Sequence, residues 1–136
     1  MFMKNFLLII LIINLFSCKE KNVSNPIDAY KYWSGEKPPA DVNVINASYW
    51  ESAHFFREYR LFMELKSSKE WRKEFIKQNS LIIDSSNNYN FSAEKPFWFK
   101  VYGKFQLYIL KNNIGSNSLY YIDTISNHFF IYEEQL

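Results

Sequence analysis

His54 has one carboxylate three residues before it, Glu51, and another four residues after it, Glu58. On a helix His54 and Glu58 would stand one turn apart, and on a strand they would share a face. Either arrangement could make a general acid/base pair, the chemistry of a small hydrolase using His54 with Glu51 or Glu58. No second histidine or carboxylate sits at metal-ligand spacing and HExxH is absent, so no metal is expected. The other histidine, His128, opens a strand-like run beside a turn, with Asp123 as its partner across the hairpin. Ser67 and Ser68 lie outside any GxSxG pattern, and no glycine-rich phosphate loop occurs, so neither a nucleophile elbow nor a cofactor is expected. The triplets NVS, NAS and NFS match the N-glycosylation acceptor pattern, which a chain rich in Asn and Ser produces easily.

The third reactive group is the only cysteine, Cys18. Lys4 precedes an apolar run, Phe6 to Phe16 (FLLIILIINLF), of 11 residues. That length suits a secretory signal core and falls short of the roughly 20 residues needed to span a bilayer. Leu15-Phe16-Ser17-Cys18 closes the run and resembles the lipobox of bacterial lipoproteins, with Phe16 standing where a smaller residue is usual. In that family a diacylglycerol is attached to the cysteine thiol and the chain is cut just before it. The resemblance implies a signal peptide over residues 1–17, a lipidated tether over 18–25 and a single domain over 26–136. It also implies a lipid-anchored place in the bacterial cell envelope, at the outer membrane or cell surface of a Gram-negative cell. One acyl chain holds a protein marginally and two hold it stably. Lys19-Glu20-Lys21 is similar to the charged signals that Bacteroidota lipoproteins carry for surface display, and reads equally as a solvated linker. The rest of the chain resembles the small lipoproteins of AT-rich bacteria, which implies no activity.

With a single cysteine the domain has no internal disulfide, and its stability must come from packing. Of the 16 Lys and Arg, Lys4 belongs to the leader, so 15 face 14 Asp and Glu. Such a balance gives no electrostatic footprint for nucleic acid. Aromatic residues make up 20% of the chain, against only 3 Gly and 4 Pro, which argues against repeats or a flexible stalk.

The elements that would position these groups are partly legible. Asn25 as N-cap and Pro26 at the first position predict a short helix over 26–33, ended by Ser34-Gly35. Residues 36–41 (EKPPAD) form a loop, and 42–45 a short extended piece. Over 53–66, alternation puts Phe55, Tyr59, Leu61, Met63 and Leu65 on one face, with His54, Phe56, Glu58, Arg60, Phe62 and Glu64 on the other. A helical grouping fits almost as well, and the strand is preferred. Ser67 and Glu70 have capping-box spacing and predict an amphipathic helix over 68–79, with Trp71, Phe75 and Ile76 turned inward and Lys69, Arg72, Lys73 and Lys77 facing water. Three strand-like runs, 104–110, 118–124 and 128–133, with turns at 112–117 and 125–127, predict an antiparallel meander.

The expected fold is therefore a small single α+β domain: a C-terminal three-stranded antiparallel meander, one further strand and one amphipathic helix packed on the sheet. Bulky groups on both sides of the meander require cover on both faces, one from the helix and the other from more chain, a lipid surface or a partner. The favoured function is a non-catalytic binding or interaction module, with inhibitor and immunity proteins as a special case. Its partners would be the membrane, through the lipid on Cys18, and another envelope or extracellular protein. Rigid aromatics give much contact area for little ordering cost, so Trp33, Tyr49, Trp50, Trp98, Tyr108, Tyr121 and Tyr132 are the binding residues to test, with Tyr120 a further meander tyrosine. Trp71 is assigned to the core. A small-molecule carrier would instead need an enclosed apolar pocket between helix and sheet, lined by Trp71, Phe75 and strand aromatics.

Overall fold

In the computed structural model the described residues are 19–54, 56–86, 91, 93–101, 104–112, 117–123 and 125–136. Residues 1–17, Cys18, Phe55 and most of the turn at 112–117 lie outside them. Of the strand expected over 53–66, β3 takes Tyr59–Ser67, and the described residues between Glu51 and Tyr59 belong to no strand or helix. Before it come β1 (Lys21–Val23), α1 (Pro26–Ser34) and β2 (Val42–Glu51). After it come α2 (Lys69–Gln78), β4 (Leu81–Ile83), β5 (Gln106–Leu110), β6 (Asn117–Ile122) and β7 (His128–Gln135). These strands form one antiparallel sheet in the order β1-β2-β3-β7-β6-β5-β4. The protein is a single α+β domain dominated by its sheet, with the expected meander as β5-β6-β7 and both helices packed on one face.

The last strand is central. β7 pairs with β3 on one side and β6 on the other, and six consecutive residues, Phe129 to Glu134, are buried. Registry carries the alternation across the sheet: Ala47, Met63, Ile131, Tyr120 and Tyr108 form one row on the helix face. Ser48, Phe62, Tyr132, Leu119 and Ile109 form a row on the opposite face. A register shift between Val44 and Asn46 reverses the parity of β2. Val42 and Val44 before it, and Ala47 and Tyr49 after it, therefore all reach the same core.

Both helices obey local rules. The Asn25 side chain accepts from the backbone N–H groups of Ile27 and Asp28 at 3.0 and 3.1 Å, Pro26 opens α1, and Gly35 closes it at φ 82°. Only glycine takes that φ without strain. The cap of α2 is Ser68, one residue later than the capping-box spacing suggested; its Oγ accepts from the Trp71 N–H at 3.0 Å. Ser67 instead ends β3 and is buried. Trp71, Phe75 and Ile76 pack on the core as their spacing predicts. Arg72 does not face water: it is buried, donating to the Ser67 carbonyl at 2.7 Å and to Asn127 Oδ1 at 2.9 Å. Those two acceptors tie α2 to the end of β3 and to the β6–β7 turn, and their hydrogen bonds offset the cost of burying the guanidinium.

The cover for the second face comes from the chain itself. Phe91, Trp98, Phe99 and Phe105 pack on Phe62, Leu107, Leu119, Phe130 and Tyr132. Phe99 is almost wholly buried, its ring centroid 5.0 Å from Phe62 and 5.4 Å from Phe130 in edge-on contacts. Burying a phenylalanine contributes about 1.5–3 kcal/mol, and each such ring pair about 0.5–1.5 kcal/mol more. Towards β2 the same face turns polar, with Asn43, Ser48, Arg60 and Lys66 outward. The segment expected to be a free tether is partly ordered: Lys21–Val23 pairs with Tyr49, Trp50 and Glu51 as an edge strand.

Candidate functional site

α1 docks through Ala29 and Tyr30, and α2 through Trp71, Phe75 and Ile76. Trp33 of α1 lies 6.1 Å from Phe75 of α2, the rings tilted at 43°. Phe75 is the hub of α2: it stacks on Trp71 at 5.1 Å and meets Phe129 and Tyr120 edge-on at 5.3 and 5.7 Å. Between the two helices a cleft of about 490 Å³ opens, walled by Tyr30, Trp33, Trp71 and Phe75. Two carboxylates also line it, Glu74 on α2 and Glu133 on β7.

Glu133 is placed by the pleat. It shares the helix face with Phe129 and Ile131, opposite Leu61 on β3 and Ser118 on β6. It is only 7% exposed. Its Oε2 accepts from Trp33 Nε1 and from the Tyr59 hydroxyl, both at 2.8 Å, and its Oε1 accepts from the Tyr120 hydroxyl at 2.7 Å. All three donors are neutral, and among the described residues no cation forms an ion pair with it. A carboxylate offers about four lone-pair sites, so Oε1 retains room for one more donor. Burial, followed by the charge and hydrogen bond of Glu133, pushes the phenols of Tyr59 and Tyr120 well above the ordinary tyrosine range.

A second network borders the first. Burial raises the Glu51 carboxyl, but hydrogen bonds from Lys21 (2.5 Å), Tyr49 and Arg57 (3.2 Å) outweigh it and hold that group below the usual carboxylate range. Arg57 also donates to the Tyr32 carbonyl at 2.8 Å and to the Tyr49 hydroxyl at 3.0 Å. The Tyr49 phenol is pushed up to about 12 by burial and by its bond to Glu51, against the lowering effect of Arg57. Tyr49 stacks on Tyr32 at 5.8 Å and on Tyr59 at 6.0 Å. Tyr59 thus joins the cation-rich rim to the buried Glu133.

Of the groups singled out for acid–base chemistry, His54 and Glu58 meet in an exposed loop, and Glu51 makes its ion pairs elsewhere. His54 lies in the loop between β2 and β3 with its side chain 73% exposed, its Nδ1 3.1 Å from Glu58. Glu51 is engaged by Lys21 and Arg57 instead. His128 pairs with Glu64 at 3.2 Å rather than with Asp123, whose carboxylate accepts from the Ile125 N–H and from Ser126 within the turn. Among the described residues no group of three or more His, Cys, Asp or Glu could hold a metal ion.

The aromatic residues proposed for binding do not form one patch. Tyr49 and Tyr132 are fully buried and are core residues, not surface anchors; Tyr120 is buried as well. Trp33 lines the cleft, and Tyr108 lies half-buried on the same side of the sheet. Trp50, Trp98 and Tyr121 are half-buried and lie on the opposite side. Trp71 joins the core, as assigned, and also forms a wall of the cleft. Sequence reading missed Glu133. The signal was there in HFFIYEEQ, where a carboxylate falls in phase with Phe129 and Ile131 on a core-facing row. Comparison with protein-family models, with curated proteins and with solved structures returns no match.

The raised phenols fix the alkaline behaviour. A tyrosine with a folded pKa above its unfolded value of 10 contributes stability that is complete below pH 10 and is lost as pH rises through the folded value, about 12 for Tyr49. Glu51 acts at the other end: its contribution is complete above its unfolded value of 4.5 and is lost as pH falls through the lower folded one. Ultraviolet titration should show the phenols of Tyr49, Tyr59 and Tyr120 ionising only above the ordinary tyrosine range, in step with unfolding. Their ionisation in the ordinary range in the folded protein would contradict the network.

Proposed function

We propose that this chain is a membrane-anchored lipoprotein of the bacterial cell envelope whose domain is a non-catalytic binding module, and that the cleft above Glu133 takes its ligand. The observation that carries the reading is the cleft itself: an aromatic-walled space of about 490 Å³ with a buried carboxylate on its floor. Ligand sites are commonly concave, carry a few fixed polar groups and span roughly 300–1,000 Å³. The walls include Trp71 and Phe75, but the cleft opens between the two helices and carries polar groups, unlike the enclosed apolar pocket between helix and sheet that a small-molecule carrier was expected to use. The hydrolase reading needed His54, Glu51 and Glu58 to converge in a pocket; His54 and Glu58 pair at 3.1 Å in an exposed loop, Glu51 is held by Lys21 and Arg57, and none of the three lines the cleft, which favours binding over catalysis.

The anchor rests on Leu15-Phe16-Ser17-Cys18. Cys18 stands three residues before β1. Three extended residues reach about 10 Å, so acyl chains on Cys18 would hold the β1 edge of the sheet close to the bilayer. No helix among the described residues is long and apolar enough to cross a membrane.

Two measurements test these halves separately. Mass spectrometry of the natural product should find a diacylglycerol-modified Cys18 at the amino terminus, and Cys18→Ser should leave the membrane fraction; an intact, unmodified leader would overturn the anchor. For the cleft, the four tryptophans serve as reporters, Trp33 and Trp71 lining it while Trp50 and Trp98 lie across the sheet. A fragment library of cations, anions and neutral molecules should move the indole N–H resonances of Trp33 and Trp71. Shifts confined to Trp50 or Trp98 would place the binding face on the other side.

A further inference from the structure

We infer that the cleft selects a small organic cation carrying N–H donors, an alkylammonium or guanidinium compound. This inference rests on the reading of the cleft as the ligand site and names its ligand class. Two features give the cleft one sign. Its charged lining residues are both carboxylates, Glu74 and Glu133, and no Lys or Arg lines it. Both helices end there: Trp33 and Ser34 from the last turn of α1, and Gln78 and the C-cap Asn79 of α2, are part of its wall. Helix carboxyl termini carry partial negative charge and favour cations. The basic residues of those last turns, Lys31 and Lys77, are exposed and do not line the cleft.

The aromatic walls act in the same direction. The faces of Trp, Tyr and Phe rings attract ammonium and guanidinium groups, most strongly where water is excluded. Glu133 supplies the specific contact. Its three partners hold the carboxylate in place but are neutral and leave its charge unbalanced. An incoming N–H donor would fill the remaining lone pair on Oε1 and supply the missing positive charge. An anion would meet two carboxylates and two helix carboxyl termini, and a neutral molecule would leave the buried charge uncompensated.

The test uses the tryptophan resonances of Trp33 and Trp71 with four probes: n-hexylamine, agmatine, 1-hexanol and hexanoate. The two cations should bind at least about tenfold more tightly than hexanol, with hexanoate weakest, and added salt should erode the difference. Glu74→Lys, an exposed change on α2, should weaken both cations about fivefold while leaving the unfolding midpoint in place. Glu133→Gln should remove the preference for cations; should it fail to fold, Glu74→Lys and the salt dependence still decide. Equal or tighter binding of hexanol or hexanoate would overturn the inference while leaving the cleft as the site. Absence of any shift with the cations would overturn it too, and the fragment screen would then judge the cleft independently. A basic pentapeptide binding more tightly than agmatine would overturn the assignment to a small free molecule.

Discussion

A buried carboxylate must be surrounded by donors, and in this domain the donors come from three separate elements. Trp33 reaches Glu133 from α1, Tyr59 from β3 and Tyr120 from β6, while Glu133 itself stands on the central strand β7. Hydrogen bonds to a charged group contribute about 1.5–3 kcal/mol each, against a desolvation cost of several kcal/mol for the ion. The balance holds only while all three donors are in place. That requirement fixes where α1 can sit on the sheet. With α1 set by Trp33 and α2 set by Phe75 against Phe129, the space left between them is the cleft.

The sheet is otherwise held by packing on both of its faces. One core lies under the helices, centred on Leu61, Met63, Leu65 and Ile131, and the second lies under the segment that carries Phe91, Trp98 and Phe99. The chain's only cysteine precedes the sheet, so no disulfide within the domain contributes. The high aromatic content, which sequence reading assigned in part to a recognition surface, is used largely inside. Tyr49, Tyr120 and Tyr132 are buried, and where a phenol is buried it needs a polar partner. Tyr49 and Tyr120 find theirs in carboxylates.

Local signals in the sequence predicted what they could. Asn25-Pro26 marked the start of α1, alternation over 53–66 marked β3, which begins only at Tyr59, and the three closing runs marked the meander. What stayed hidden depended on long-range pairing. β2 was read only to Ile45, because the bulge there breaks its alternation just as the strand continues to Glu51. β1 and β4, at three residues each, are strands only because a neighbour pairs with them. Burial of Arg72 depends on Asn127, which lies far along the chain. Glu133 meets Trp33 across 100 positions and Tyr59 across 74, separations that no local pattern records. The cleft was therefore legible in two of its walls, Trp71 and Phe75, and illegible in its floor.

The central claim is that a single buried carboxylate, satisfied by three neutral donors, holds α1 to the sheet through one of them, Trp33. Denaturant unfolding of Glu133→Ala and Glu133→Gln tests it most directly. Alanine strands the Trp33, Tyr59 and Tyr120 donors and should cost about 3–5 kcal/mol, whereas glutamine keeps an acceptor oxygen and should cost about half as much. An alanine variant within about 0.5 kcal/mol of the parent, the range of an ordinary surface substitution, would contradict the account.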